Sequence, residues 1–343
     1  MFVDAFINGK KWDDVVNRIS RISGITKKDI TSFAARHFGD NYATVYKRQG
    51  EDTTQKKIDK PKITPIPANR DKQSAFVGEI IGSKSEPIQP RFIDFGKDLT
   101  KSSTKKGLPI LYVRNTENGR FTLAFHYAFG EESDKWLPFA ASYIDYLGTD
   151  RMSAEDIKRK FYKLACSYGI SVGTDMTTVT LSGLNDNLPQ ALELMEDILA
   201  NAKADSEAYD KYVESELKNR KDAKLNQAGN FSALLHYGIY GPYNRIRNIP
   251  GAQELRDKNP KELTGLLKDL SKYEHTVLYY GPYSVDELAS VIEKKHRTAG
   301  KLAQVPAGKE YTEQQTTENE IMIAPYEAKN AYISVSYTHL TLP

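Results

Sequence analysis

The sequence predicts an α+β fold, a mixed and mainly antiparallel sheet covered by helices. Three observations point to it. Residues 107–115 and 120–129 read as strands, the second with Phe121, Leu123, Phe125, Tyr127 and Phe129 on one face, and Asn118-Gly119 reads as a turn between them. Helical patterns recur around positions 139, 157, 190 and 205. A Val- and Thr-rich run, Ile170 to Leu181, returns as strand. Strands that are apolar on one face must bury it, and the helices can cover it.

The elements follow in chain order. Trp12 to Ile22 has helical spacing. Ile25 to Ile30 reads as a staple and capping box built on Thr26 and Asp29, with aspartate the weaker third member. The helix it opens carries Ile30, Phe33, Ala34, His37 and Phe38 on one face; Gly39-Asp40 stops it, and Tyr42 to Tyr46 reads as a short strand. From Gln49 to Lys106, Pro61, Pro65, Pro67, Pro87 and Pro90 interrupt any periodicity and lysines bunch, so a linker with solvated charges is expected. Within it Ala75 to Ile81 is apolar enough to dock on a neighbouring domain. After the strands, Gly130 to Asp134 leads into a helix over 139–149. Ser153 to Lys158 opens another helix that carries Cys166 and ends at Tyr168-Gly169, and a long helix runs from Asp205 to Gln227. Gln304 to Thr317 reads as loop, followed by strands at 321–324 and 331–335.

Composition bounds the function. With 343 residues and 39% apolar content the chain can build one full core and parts of others. A net charge of +3 does not suggest a nucleic-acid surface. No apolar run reaches the ~18 residues of a membrane helix. Met1 to Ile7 lacks a basic start and is interrupted by Asp4, so no signal peptide is read, and the compartment stays unknown. The single Cys166 excludes an internal disulfide; beside Leu164 and Ala165 it reads as a core residue, with a Cys–His nucleophilic pair left open. The histidines, His37, His126, His236, His275, His296 and His339, include no pair at i, i+4 and none beside a carboxylate at ligand spacing, so no other metal site is expected. Gly238 to Tyr243 lacks the spacing and setting of a phosphate loop.

The informative segment is 139–149, Phe-Ala-Ala-Ser-Tyr-Ile-Asp-Tyr-Leu-Gly-Thr. An inverted zincin motif, H-x-x-E-H, sets two imidazoles four residues apart on one helical face with the glutamate as general base. Here Ser142, Asp145 and Tyr146 hold those places. A tyrosine pKa near ~10 leaves almost no phenolate to bind zinc, and serine is no better, so no catalytic zinc is expected. With the strands before this helix, the elements after it, and Tyr279-Tyr280-Gly281-Pro282 and Asp286-Glu287-Leu288 near the end of the pattern, the sequence resembles the insulinase/pitrilysin family of zinc metallopeptidases, in particular the non-catalytic C-terminal half of a two-half member.

That resemblance implies insulinase-like domains: 1–48 as the end of a preceding one, 49–106 as the linker, 107–305 as a complete non-catalytic one, and 306–343 as the start of a following one. Residues 336–343 leave the pattern and resemble a translated sequencing-adapter tail. Glu216 matches the place of the family's third zinc ligand; alternatively Glu214 and Glu216 are solvated charges on a helix acidic at its start and basic at its end. The implied function is that of the inactive, chamber-forming, substrate-holding half of a zinc metalloendopeptidase. Its partners would be a missing N-terminal catalytic half of the same polypeptide that carries the zinc, or a catalytic subunit, and a peptide substrate; the chain itself would bind no cofactor or nucleic acid and would not span a membrane. Tyr237, Tyr240, Tyr243, Arg245 and Arg247 combine contact area with donors suited to a peptide, unless the aromatics pack down in a helix-to-helix loop. The second function class is a scaffold or assembly subunit of the same family.

Overall fold

The computed structural model describes residues 1–47, 49–50, 54, 59–65, 72–315 and 318–335, in two compact units, Met1–Pro87 and Ile88–Pro343. The expected adapter-like tail and His339 lie outside the described residues. The first unit holds α1 (Phe2–Ile7), α2 (Trp12–Val16), α3 (Arg18–Ser23), α4 (Lys27–His37) and α5 (Ala75–Gly82). The helix expected over 12–22 is thus two. Asn17 separates them, its side-chain amide donating to the Asp13 carbonyl at 3.0 Å and competing with the helix backbone. The capping box of α4 forms: the Asp29 amide donates to Thr26 Oγ1 at 3.3 Å and the Thr26 amide to Asp29 Oδ2 at 2.8 Å. No strand forms at 42–46.

The second unit contains a six-stranded sheet of β1 (Thr100–Ser103), β2 (Pro109–Arg114), β3 (Arg120–Tyr127), β4 (Cys166–Val172), β5 (Thr177–Leu184) and β6 (Thr276–Gly281), in the order β1-β2-β6-β3-β5-β4. Its helices are α6 (Leu137–Tyr143), α7 (Ala154–Lys163), α8 (Leu188–Asn201), α9 (Ser206–Ala223), α10 (Gln227–Tyr240), α11 (Ala252–Asp257), α12 (Pro260–Asp269) and α13 (Val285–Lys295). All strand pairs are antiparallel except β2–β6.

The sheet is apolar on one face. Phe121, Leu123, Phe125 and Tyr127 of β3 are buried there with Val179 and Leu181 of β5, Val277 of β6 and Ile110 of β2, beneath Ile144, Leu188, Leu192, Met195, Leu267 and Leu288. Thr122, Thr178, Thr180 and Tyr280 on the other face are open or half-open, the pattern of a sheet covered on one side.

Four expectations change. β2 and β3 flank the Asn118-Gly119 turn without pairing, because β6 lies between them, with Ile110↔Val277 on one side and Phe125↔Val277 on the other. Asn115 holds this wide connection open: its amide donates to the Gly281 carbonyl at 2.9 Å, and its side-chain amide donates to the Arg120 carbonyl and to Asn118 Oδ1, both at 2.9 Å. The end of the expected linker, 100–103, is edge strand β1. The helix over 154–163 stops before Cys166, since Ala165 turns the chain at φ 48° and Asn187 Nδ2 donates to the Leu164 carbonyl at 2.8 Å. Cys166 therefore begins a strand, and the single strand expected at 170–181 is a hairpin, β4–β5. Lastly, 321–324 and 331–335 carry no strand: 335 ends the described residues, and neither segment meets a strand partner among them.

A polar knot ties β6 to its neighbours. Tyr279 Oη donates to Asn185 Oδ1 at 2.8 Å and accepts from the Tyr283 amide at 3.1 Å, while Tyr112, stacked on Tyr279 at 5.9 Å, donates to the Tyr283 carbonyl at 2.7 Å. Tyr279→Phe strands a buried acceptor and an amide, and should cost about 1–3 kcal/mol of stability in urea unfolding. A loss below about 0.5 kcal/mol would show that the knot is not needed.

Candidate functional site

The helix bearing the motif positions is short. Asp134 Oδ1 accepts from the Trp136 amide at 2.8 Å, Pro138 occupies the first turn, and Leu137, Phe139, Ala140, Ala141 and Tyr143 are buried. After Tyr143 the chain tightens into a 3₁₀ turn over Ile144–Tyr146. A 3₁₀ turn advances about 120° per residue against 100° in an α-helix, so 142 and 146 do not stack as two ligand positions on one continuous α-helix would. The sequence had read a helix through 149.

Tyrosines fill the space around these positions. Tyr143 Oη donates to the Asp205 carbonyl at 2.6 Å and accepts from its amide at 2.9 Å, fixing the start of α9. Tyr209 Oη donates to the Leu255 carbonyl at 2.8 Å. Tyr212 lies 6.0 Å from the Tyr146 ring; burial pushes its hydroxyl up to about 12, against a hydrogen bond with Ser142 that acts the other way. Glu216, one turn further along α9, also raises Tyr212. Ser142, Tyr146 and Glu216 thus gather round Tyr212. Asp145 does not join them: it is exposed and lies toward Lys158 and Tyr168.

Glu216 is already neutralised. Arg220 Nε donates to Glu216 Oε1 at 2.7 Å, Arg220 Nη1 donates to the Pro250 carbonyl at 2.7 Å, and the guanidinium stands 5.5 Å over the Phe139 ring. Both side chains are about three-quarters buried. Two hydroxyls, a diverted carboxylate and a carboxylate held by arginine do not suit zinc, whose protein ligands are thiolate, imidazole and free carboxylate. Among the described residues no group of three or more His, Cys, Asp or Glu is placed to hold a metal ion.

Beside Tyr146 an open cleft of about 550 Å³ is lined by Gly148, Arg151, Ser153, Lys203 and Asp205. The residues considered for peptide contact lie elsewhere: Tyr237 and Tyr240 on α10, and Tyr243, Arg245 and Arg247 in the turn after it. Tyr237 and Tyr243 are exposed, and Tyr240 is half-buried. Tyr243 packs on Tyr311 at 5.2 Å, and Arg245 Nε lies 3.5 Å from Glu131 and 3.8 Å from Glu132.

Three groups were not legible in the sequence. Glu132 is buried and accepts from Asn248 Nδ2 at 3.2 Å and from Tyr311 Oη, joining three loops. The Glu216–Arg220 pair hid as an ordinary i, i+4 charge pair. His296 Nδ1 lies 2.6 Å from Glu196 Oε1 and its Nε2 lies 2.8 Å from His275 Nε2. Glu196 and His275 stand 100 and 21 residues from His296 along the chain, and folding brings the three together. Cys166 is buried, its thiol raised by burial and facing the Leu184 carbonyl at 4.0 Å, which answers the open question of a nucleophilic pair with an inert thiol.

No protein-family model and no curated protein sequence matches the chain. Solved structures do. The periplasmic protease PqqL of Escherichia coli superposes with TM-score 0.55 at 13% identity, over 87% of this chain and 31% of that one. The peptidase M16 inactive domain from Pseudomonas fluorescens gives 0.52 at 17% identity, over 62% and 54%. The ferredoxin protease FusC, solved in complex with Arabidopsis ferredoxin, gives 0.54 at 14% identity, over 84% and 30%. The fold is that of the M16 peptidases. This is the architecture expected from the insulinase/pitrilysin resemblance, and the chain spans about a third of the length of PqqL and FusC. Within this fold, α6, the 3₁₀ turn after it and α9 bring Ser142, Tyr146 and Glu216 round Tyr212, with Arg220 paired to Glu216.

Arg220→Ala should therefore destabilise the chain by about 1–2 kcal/mol, through a lost carbonyl bond and an unpaired, largely buried Glu216. Glu216→Ala in the same background should recover part of that loss. A thermal-unfolding double-mutant cycle showing no coupling would remove Arg220 from this role.

Proposed function

We propose that this chain is part of a zinc metalloendopeptidase of the insulinase/pitrilysin family, and forms the inactive half that shapes the chamber and holds the peptide. The observation that carries this is an M16 fold in which α6 and the 3₁₀ turn after it carry Ser142, Asp145 and Tyr146, with Glu216 paired to Arg220. Proteolysis then needs a partner half that carries the zinc. Residues 107–305, with edge strand β1 added before them, serve as the non-catalytic domain, with 1–48 and 306–343 belonging to its neighbours. In this reading Tyr237, Tyr240, Tyr243, Arg245 and Arg247 contact the peptide: exposed tyrosine rings offer area at low entropic cost, and the arginines offer donors to backbone carbonyls.

The chain alone should bind no stoichiometric zinc after dialysis and cleave no unstructured fluorogenic peptide. Joined to a zinc-bearing half encoded upstream, it should support turnover, which Tyr237→Ala with Tyr243→Ala lowers mainly through KM. One tightly held zinc per chain, lost on Glu216→Ala, would overturn the assignment of this half as inactive. An upstream half without its own H-x-x-E-H would replace the peptidase reading with the scaffold one.

A further inference from the structure

Glu196 of α8, His296 at the C-cap of α13 and His275 just before β6 form a hydrogen-bonded chain in the core. All three are buried: His296 and Glu196 keep 4% and 5% side-chain exposure, and His275 keeps 5%. The hydrogen count follows from the partners. His275 Nδ1 lies 2.8 Å from the Tyr273 carbonyl, which can only accept, so that nitrogen donates. The two Nε2 atoms, 2.8 Å apart, share one hydrogen. His296 Nδ1 meets the Glu196 carboxylate. Three hydrogens on four ring nitrogens satisfy every contact. A fourth would set N–H against N–H, with no acceptor in between.

This chain pins a segment. Glu196 Oε2 also accepts from the Arg297 amide at 3.2 Å. Beyond it the Ala299 amide donates to the Ser271 carbonyl at 2.9 Å and the Ala303 amide to the Lys272 carbonyl at 2.8 Å. Phe125 stacks on His296 at 4.0 Å and Tyr127 sits 4.7 Å from His275, closing the cluster from β3. The other ionisable groups around it are Tyr127, whose hydroxyl stays protonated because burial raises it, half-buried Tyr273, the exposed neighbours Glu274 and Arg297, and two surface ion pairs, Glu193–Lys295 across α8 and α13 and Lys272–Asp269 on the turn before Tyr273.

We propose that Glu196–His296–His275 is an acid-sensitive latch: a further proton drives the imidazoles apart and releases residues 296–303 from α8 and from the turn at 270–273. Burial holds His275 down at about 4 from its ordinary 6.5, so the closed latch refuses a proton that the open one accepts between those values. A group depressed on closing stabilises the closed state fully above 6.5, and that stability is lost as pH falls toward 4. Between pH 7.5 and 5 the linkage amounts to roughly thirtyfold in the open-to-closed ratio.

The test is amide hydrogen exchange on the full chain at pH 7.5 and 5, corrected for intrinsic rates. Protection at Ala299 and Ala303 should fall by at least about tenfold at pH 5, while Leu123 and Val179 in the sheet keep theirs. His275→Gln can accept from His296 but cannot take a proton, so it should keep protection at pH 7.5 and abolish the acid loss. If that variant fails to fold, NMR titration of the imidazoles in the unaltered chain decides. His275 gaining a proton below pH 6 together with the loss of protection supports the latch. Equal protection at both pH values, or a His275→Gln chain that opens in acid like the parent, overturns it.

Discussion

The sheet of the second unit depends on one late strand. β6, near the end of the described fold, lies between β2 and β3 and bonds both, parallel to one and antiparallel to the other. Without it the sheet divides into β1–β2 and β3–β5–β4. Because its partners lie more than 140 residues earlier, β6 pairs only after most of the chain has been placed, and closing such a loop is entropically costly. The tyrosines on it answer that cost locally. Tyr279 and Tyr112 bond Asn185 and the chain at Tyr283, so the loop before α8 and the turn before α13 are tied to the sheet at the same place. The buried imidazoles sit at the other end of β6, so both of its ends carry polar links.

The elements round Tyr212 are joined by hydrogen bonds and one ion pair. A structural metal would cross-link the elements it binds and neutralise their charge. Here Tyr143 makes the cross-link, with two bonds to the backbone of Asp205, and Arg220 neutralises Glu216. Arginine suits the second task because its planar fork serves a carboxylate and a carbonyl at once while its face lies on Phe139. The result is rigid where a catalytic site would need an open coordination position.

Much of the fold was legible because its signals are local. The alternation in β3 fixed its buried face, and Thr26 and Asp29 marked a helix start. What could not be read depends on distant residues. Asn118-Gly119 marked the turn between β2 and β3 but not its width; Asn115 and β6 set that. The single strand expected at 170–181 failed because apolar alternation spans β4 and β5 alike, and Ala165 and Asn187 decide where the first begins. At the site, Tyr146 was legible as a poor ligand, but nothing in the sequence showed Asp145 turned toward Lys158 or Glu216 held by Arg220.

The polar interior follows the same division of labour. Glu132 and Glu196 are buried carboxylates whose partners are 100 or more residues away, and each holds the chain that leaves the sheet toward its C-terminal end. Glu132 reaches Tyr311 and Asn248; Glu196 reaches His296 and the Arg297 amide. Apolar packing alone could let that segment slide along α8 and the turn at 270–273, since dispersion has little directional preference. A buried carboxylate has strong preference, because leaving it unpaired is costly, so it fixes one path for the chain. The two glutamates act through different partners. Tyr311 keeps its proton across the physiological range, raised by burial and by Glu132, so its hydroxyl stays a donor to that carboxylate. The imidazole link is the one proposed to open in acid, a response placed at residues 296–303 above a sheet that stays intact.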